Sequence, residues 1–225
     1  MSQAIKVLVI GSGGREHAMA WKLAASERVA EVIVAPGNAG TEVEDKCRNM
    51  DVAAEDITGL LALAQREGVG LTVVGPEVPL SMGVVDQFRA AGLRIFGPTQ
   101  AAARLESSKA YTKDFLARHD IPTADYGVFT QLQPALDFLD SRSAPIVVKA
   151  DGLAAGKGVV VAQSLEQARD AVRQMLTGNA HGSAGARVVI ESFLEGEEAS
   201  FIVVAQGRRY VTLATSQDHK RIFDG

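Results

Sequence analysis

One cysteine, Cys47, is all this chain of 225 residues contains, so neither an intramolecular disulfide nor a cysteine zinc cluster can form. A lone thiol suits a reducing compartment, and this one reads as a spare thiol in a connecting segment. Charge of one sign is lacking too: 23 Lys and Arg face 27 Asp and Glu, for a formal net charge of −4. That mild acidity gives no electrostatic footprint for nucleic acid or an anionic membrane. Small anions such as nucleotides are still allowed, because local donors hold them. Long apolar runs are missing as well. Residues 5–10 are apolar apart from Lys6, and Gly11 to Arg15 end the run too early for a signal peptide or a membrane span, so a cytoplasmic protein is expected. His17, His119, His181 and His219 show no metal-ligand spacing, and no internal repeat is evident. Oligomeric state is not legible, a monomer being the default.

What is there, 47% hydrophobic and 22% charged residues, is the balance of a globular chain long enough for one large or two ordinary domains. The first hundred residues alternate strand and helix signals. Residues 5–10 form an apolar run, interrupted only by Lys6 and rich in β-branched side chains, as expected of a strand buried on both faces. His17, Ala20, Trp21 and Ala24 then recur at helical spacing and predict one buried helix face. A strand over 32–34 stops at Pro36-Gly37, and Ile57, Leu60, Leu61 and Ala64 predict a helix capped by Gly68. A strand over 71–74, a helix from about 80 to 91 and a strand over 94–96 follow. This rhythm predicts a doubly wound parallel α/β sheet, forming a domain over 1–100.

Beyond Pro98 the order becomes mixed. Helices are expected over 101–106 and 108–118, with Ser107 as N-cap of the second, before Ile121-Pro122 breaks the run. Strands are expected over 128–129, 146–150, 158–162 and 187–191, with helices over 134–140 and from Ser164. Residues 177–185, rich in small side chains, read as a loop, and strands over 199–205 and 208–214 as a hairpin turning at Gln206-Gly207. These elements predict a second, α+β domain over 101–225.

Two glycine loops carry chemistry. Gly11-Ser12-Gly13-Gly14-Arg15-Glu16-His17 follows a strand and opens a helix, where backbone N–H groups and the helix dipole favour an anion. The dinucleotide fingerprint wants a third glycine and an acid ending the second strand; Glu16 and Ala35 stand there instead and argue against NAD. A tight turn alone would explain one or two glycines, less readily three beside an arginine. Pro36-Gly37-Asn38 and Gly75-Pro76-Glu77 break the chain at the same expected sheet edge, where ligand crevices form. The second loop, Lys149-Ala150-Asp151-Gly152-Leu153-Ala154-Ala155-Gly156-Lys157-Gly158, lies between two strands. It has three residues between Gly152 and Gly156, Gly158 where Ser or Thr should stand, and no helix after it, so it is not a Walker A loop. Its glycines can still close backbone N–H groups over phosphates, and Lys149, amid Ile146, Val147 and Val148, needs a partner. Downstream, residues 190–198 form a short acidic link whose exposed backbone can read an adenine edge and whose carboxylates can hold ribose hydroxyls, although acidic turns are commonly just solvated.

This order, with Ser108-Lys109 opening a helix between the two loops, resembles the ATP-grasp superfamily. Within it, the segments 11–17, 75–80, 108–116, 149–159, 195–201 and 216–221 are similar to the glycinamide ribonucleotide synthetase (phosphoribosylamine–glycine ligase) family. The resemblance implies a pre-ATP-grasp domain followed by an incomplete ATP-grasp domain. It implies ligation of glycine to 5-phosphoribosylamine through a glycyl phosphate, in purine biosynthesis, with ATP and Mg²⁺. Lys109 and Lys149 would hold phosphates, with Asp151, Gly152, Gly156, Lys157 and Gly158 closing over them. Glu191 and the backbone of Phe193 and Leu194 would meet adenine, and Glu198 the ribose. Lys149, Asp218, Lys220 and Arg221 would lie at the reacting groups. Gly11, Ser12, Gly13, Gly14, Arg15 and Glu16, with Pro36, Gly37, Asn38, Gly75, Pro76 and Glu77, would hold phosphoribosylamine. Family members continue for roughly another such length, and the metal ligands lie there. The chain is therefore expected to be the N-terminal half, inactive alone. Another ATP-grasp carboxylate–amine ligase and a non-catalytic nucleotide-binding module are the alternatives.

Overall fold

The computed structural model describes residues 4–153, 158–177 and 187–217. Strand β1 (Ile5–Gly11) is apolar from Val7 to Ile10 because both faces of that stretch are covered. Val7 and Val9 pack on helix α1 (Gly14–Ala24), while Leu8 and Ile10 pack on α2 (Ile57–Glu67) and α4 (Val84–Ala90). β2 (Val29–Pro36) splits the same way, Val32 and Val34 to one side and Ile33 and Ala35 to the other. With β3 (Cys47–Asn49), β4 (Leu71–Val74) and β5 (Ile95–Phe96) they form a parallel sheet of order β3-β2-β1-β4-β5. The chain runs outward from β1 to β3 and then crosses back to β4, so the direction of winding reverses between β1 and β4. The loops after those two strands part there, which is where such sheets hold ligands.

Three local expectations need correction. The buried face of α1 is Glu16, Ala20 and Ala24, four residues apart, and Trp21 is 57% exposed. Cys47 lies in an edge strand, which three residues without apolar alternation did not signal. The single helix expected to start near residue 80 is two, α3 (Glu77–Ser81) and α4, parted by Gly83 at φ 87°. The glycine cap of α2 is as expected, Gly68 adopting the left-handed conformation at φ 64°.

Helices α5 (Gln100–Ser107) and α6 (Lys109–Arg118) lead into the second sheet. Ser107 ends α5, and Ser108 is the N-cap of α6, its hydroxyl accepting from Tyr111 N–H at 3.2 Å. β6 (Tyr126–Phe129), β7 (Ile146–Ala150), β8 (Val159–Ala162) and β9 (Val188–Ser192) pair antiparallel in the order β6-β9-β7-β8. α7 (Leu132–Asp140) and α8 (Leu165–Thr177) cover one face, packing Ala135, Leu139, Val172 and Met175 on Ile146, Val148, Val188 and Ile190. Strand alternation puts Val147, Lys149, Val189 and Glu191 on the opposite face. Thr177, expected in a loop, closes α8, and residues 178–186 lie outside the described residues. β10 (Val203–Gln206) and β11 (Arg209–Thr212) form the expected hairpin, with shorter strands, across Gly207-Arg208. No helix among the described residues is long and apolar enough to cross a membrane.

Candidate functional site

Lys149 and Glu191 meet because their strands are neighbours. Val147 pairs with Glu191 and Lys149 with Val189, which sets the lysine and the carboxylate diagonally on one face. Lys149 Nζ forms an ion pair with Glu191 Oε1, supplying the partner that the strand lysine required. On the other side, Lys113 Nζ, projecting from α6, stands 2.5 Å from Glu191 Oε2, a charge contact rather than an aligned hydrogen bond. Burial pushes the Glu191 carboxyl up, but the two ammonium groups prevail and hold it below the usual carboxylate range.

One turn away, Asp151 closes β7 and gathers the N-terminus of α6. Its carboxylate accepts from Ser108 Oγ at 3.2 Å, Ala110 N–H at 3.1 Å and Arg187 Nε at 2.7 Å. Lys109 Nζ donates to Gly152 O at 2.9 Å, and Ala150 N–H to Gly158 O at 2.7 Å across the base of the glycine loop. Between these groups lies a cavity of about 310 Å³, lined by Lys109, Lys113, Lys149, Gly152, Glu191 and Glu77 among others. Three ammonium groups and loop backbone on one concave surface suit a polyphosphate.

Glu77 carries the N-terminal loops to the rim of that cavity. Gly37 N–H donates to Gly11 O at 3.1 Å and Gly75 N–H to Ile10 O at 3.0 Å, so all three loops are tied to the end of β1. Glu16, 3% exposed, fills the space a third glycine would leave and accepts from Gly13 N–H at 2.7 Å and Arg15 Nε at 2.8 Å. Arg15 also stands 3.6 Å from Glu77. Asn38 Nδ2 donates to Ser12 O at 2.9 Å, joining the second loop to the first. Thus Gly11, Ser12, Gly13, Gly14, Arg15, Glu16, Pro36, Gly37, Asn38, Gly75, Pro76 and Glu77 share one sheet edge.

Phe193, Leu194 and Glu198 follow β9 on an exposed segment. Gly156, Lys157, Asp218, Lys220 and Arg221 lie outside the described residues. Sequence reasoning missed Lys113 and Arg187. Lys113 falls four residues after Lys109, on the same helix face, and that spacing was the available signal. Arg187 had none.

The chain matches sequence profiles of two domains of phosphoribosylglycinamide synthetase, the N domain over 5–106 and the ATP-grasp (A) domain over 107–225. It is 68% identical over 221 residues to the phosphoribosylamine–glycine ligase of Xanthomonas campestris, a match covering 98% of this chain and 51% of that protein. The crystal structure of phosphoribosylamine–glycine ligase from Thermotoga maritima superposes with a TM-score of 0.78 at 32% identity, covering 98% of this chain and 52% of that one. A carboxyaminoimidazole ribonucleotide synthase from Aspergillus clavatus, complexed with ATP, superposes with a TM-score of 0.71 at 17% identity over 97% of this chain and 55% of that one, which shows a shared fold. The chain spans about half the length of the curated relatives it matches.

Proposed function

The chain belongs to the phosphoribosylglycinamide synthetase family, and from that membership we propose that its protein joins glycine to 5-phosphoribosylamine with ATP. The products are glycinamide ribonucleotide, ADP and phosphate. The observation that carries the reading is the cavity on which Lys109, Lys113 and Lys149 converge beside Glu191. The ATP bound by the Aspergillus clavatus structure of the same fold supports a nucleotide there.

A carboxylate is a poor electrophile. An oxygen of glycine's carboxylate attacks the γ-phosphorus, the bond to ADP breaks, and the resulting acyl phosphate has a leaving group. The amine nitrogen of phosphoribosylamine then attacks the carbonyl carbon, phosphate departs, and the nitrogen gives up a proton. Lys109 and Lys149 steady the phosphates, with Asp151, Gly152, Gly156, Lys157 and Gly158 around them. Glu191, Phe193 and Leu194 receive adenine, and Glu198 the ribose. Asp218, Lys220 and Arg221 serve the reacting groups. The loops around Arg15, Asn38 and Glu77 hold phosphoribosylamine. The domain that binds it ends near residue 100, and the nucleotide domain follows. Among the described residues no cluster of three or more His, Cys, Asp or Glu side chains could hold a metal ion. The part taken by these residues is binding and charge neutralisation, and the family resemblance puts the Mg²⁺ ligands in the later part of the protein. The cytoplasm is the compartment this reading assigns, with a monomer as the default state.

The test is ADP release by the protein at its natural length. Release that requires both glycine and phosphoribosylamine supports the reading, and Lys149→Met should lower kcat by about a hundredfold. ADP release indifferent to glycine would sink it.

A further inference from the structure

Glu191 stands between two ammonium groups that are seated very differently. Lys113 Nζ donates to Thr123 Oγ1 at 2.7 Å and to Ala124 O at 3.4 Å, and lies 5.5 Å from the centre of the Tyr126 ring. Its side chain is 11% exposed, enclosed between α6 and the strand that carries Glu191. The Lys149 side chain is 28% exposed, lines the cavity and pairs, among the described residues, with Glu191 alone. One buried carboxylate thus has two cations, one held by several acceptors and one held only by the carboxylate itself.

We propose that Lys113 is a positioning residue that keeps Glu191 compensated, so that Lys149 is free to exchange the carboxylate for a nucleotide phosphate. The proposal rests on the nucleotide reading of this cavity. Without nucleotide, Glu191 neutralises Lys149. When phosphate oxygens arrive, Lys149 turns to them, one ion pair replaces another, and Glu191 stays paired with Lys113. Without Lys113 the same exchange would strand a buried carboxylate, a state that folded proteins avoid. Lys149 would then remain on Glu191, and the phosphates would lose a ligand. Depression of the Glu191 carboxyl by both lysines agrees with a group that stays ionised throughout.

Equilibrium binding of ATP and of adenosine to the full-length protein tests this. Lys113→Met should weaken ATP at least about tenfold and adenosine less than about threefold, because only the phosphates need Lys149. Adding Glu191→Gln to Lys113→Met removes the stranded charge and should restore most of the ratio of ATP to adenosine affinity. Lys113→Gln, which keeps a donor but not the charge, serves as the second variant where the methionine variant does not fold, with the same expectation. A merely structural role for Lys113 predicts equal losses for the two ligands and no recovery in the double variant, and either result overturns the proposal. Wild-type protein that binds no ATP would remove the nucleotide reading, and the proposal with it. That outcome is distinct from wild-type binding that Lys113→Met leaves unchanged, which overturns the proposal alone.

Discussion

Asp151 is 5% exposed, and its carboxylate accepts from a hydroxyl and a backbone N–H at the start of α6 and from a guanidinium ahead of β9. Removing it leaves the Ala110 N–H and Arg187 without their acceptor. The Arg187 side chain is 46% exposed, so water recovers part of that loss. Asp151→Ala is therefore expected to cost about 2–3 kcal/mol in urea unfolding, below the figure for breaking a wholly buried pair. Asp151 was legible as part of a glycine loop, but nothing in the linear order tied it to Ser108 or Arg187. Lys149 was legible because a lysine among β-branched residues needs a partner. That partner, Glu191, was legible only as an acid near adenine.

At the scale of elements, backbone conformation separates glycines that look alike in sequence. Gly68 ends α2 at φ 64° with open space where a side chain would project, so Gly68→Ala should cost about 1–2 kcal/mol of backbone strain alone. Gly75 follows β4, and a methyl group there would meet the buried Glu16 side chain. Gly75→Ala is expected to lower the urea midpoint more than Gly68→Ala, and a larger loss at Gly68 would refute this. The strands and most helices were readable because their apolar period is strong. The break between α3 and α4 was not, because Gly83 interrupts a run with helical spacing on both sides. The α1 stripe was misread because Glu16, a polar residue, occupies a core-facing position for the sake of Gly13 and Arg15.

Across the N-terminal sheet, Arg48 on β3 binds Glu31 on β2 and Glu67 on α2, each at 2.5 Å, and Lys6 on β1 joins both acids at 3.2 and 3.3 Å. The Arg48 guanidinium, aided by Lys6, holds both carboxyls below their ordinary value of 4.5. A depressed folded-state value stabilises the fold above the unfolded value and loses that contribution as pH falls through the folded one. Wild type should therefore exceed Arg48→Met in stability at neutral pH, with the gap narrowing below pH 4.5 and closing as both acids protonate. Urea midpoints over pH 7 to about 2 measure it, and a gap unchanged by pH would refute the network's role.

By itself the sequence determined most of the segments that are strands and helices, and that the N-terminal sheet is parallel and doubly wound. Those properties are local or periodic, set by side-chain spacing along a few turns or strand residues. Only the tertiary structure decided that Lys113 and Lys149 share Glu191, that Asp151 joins α6 to Arg187 ahead of β9, and that Glu77 lines the cavity of the three lysines. The Glu191 ion pairs and the Asp151–Arg187 bond join residues 36 to 78 positions apart, and strand order and register, not spacing along the chain, bring them together.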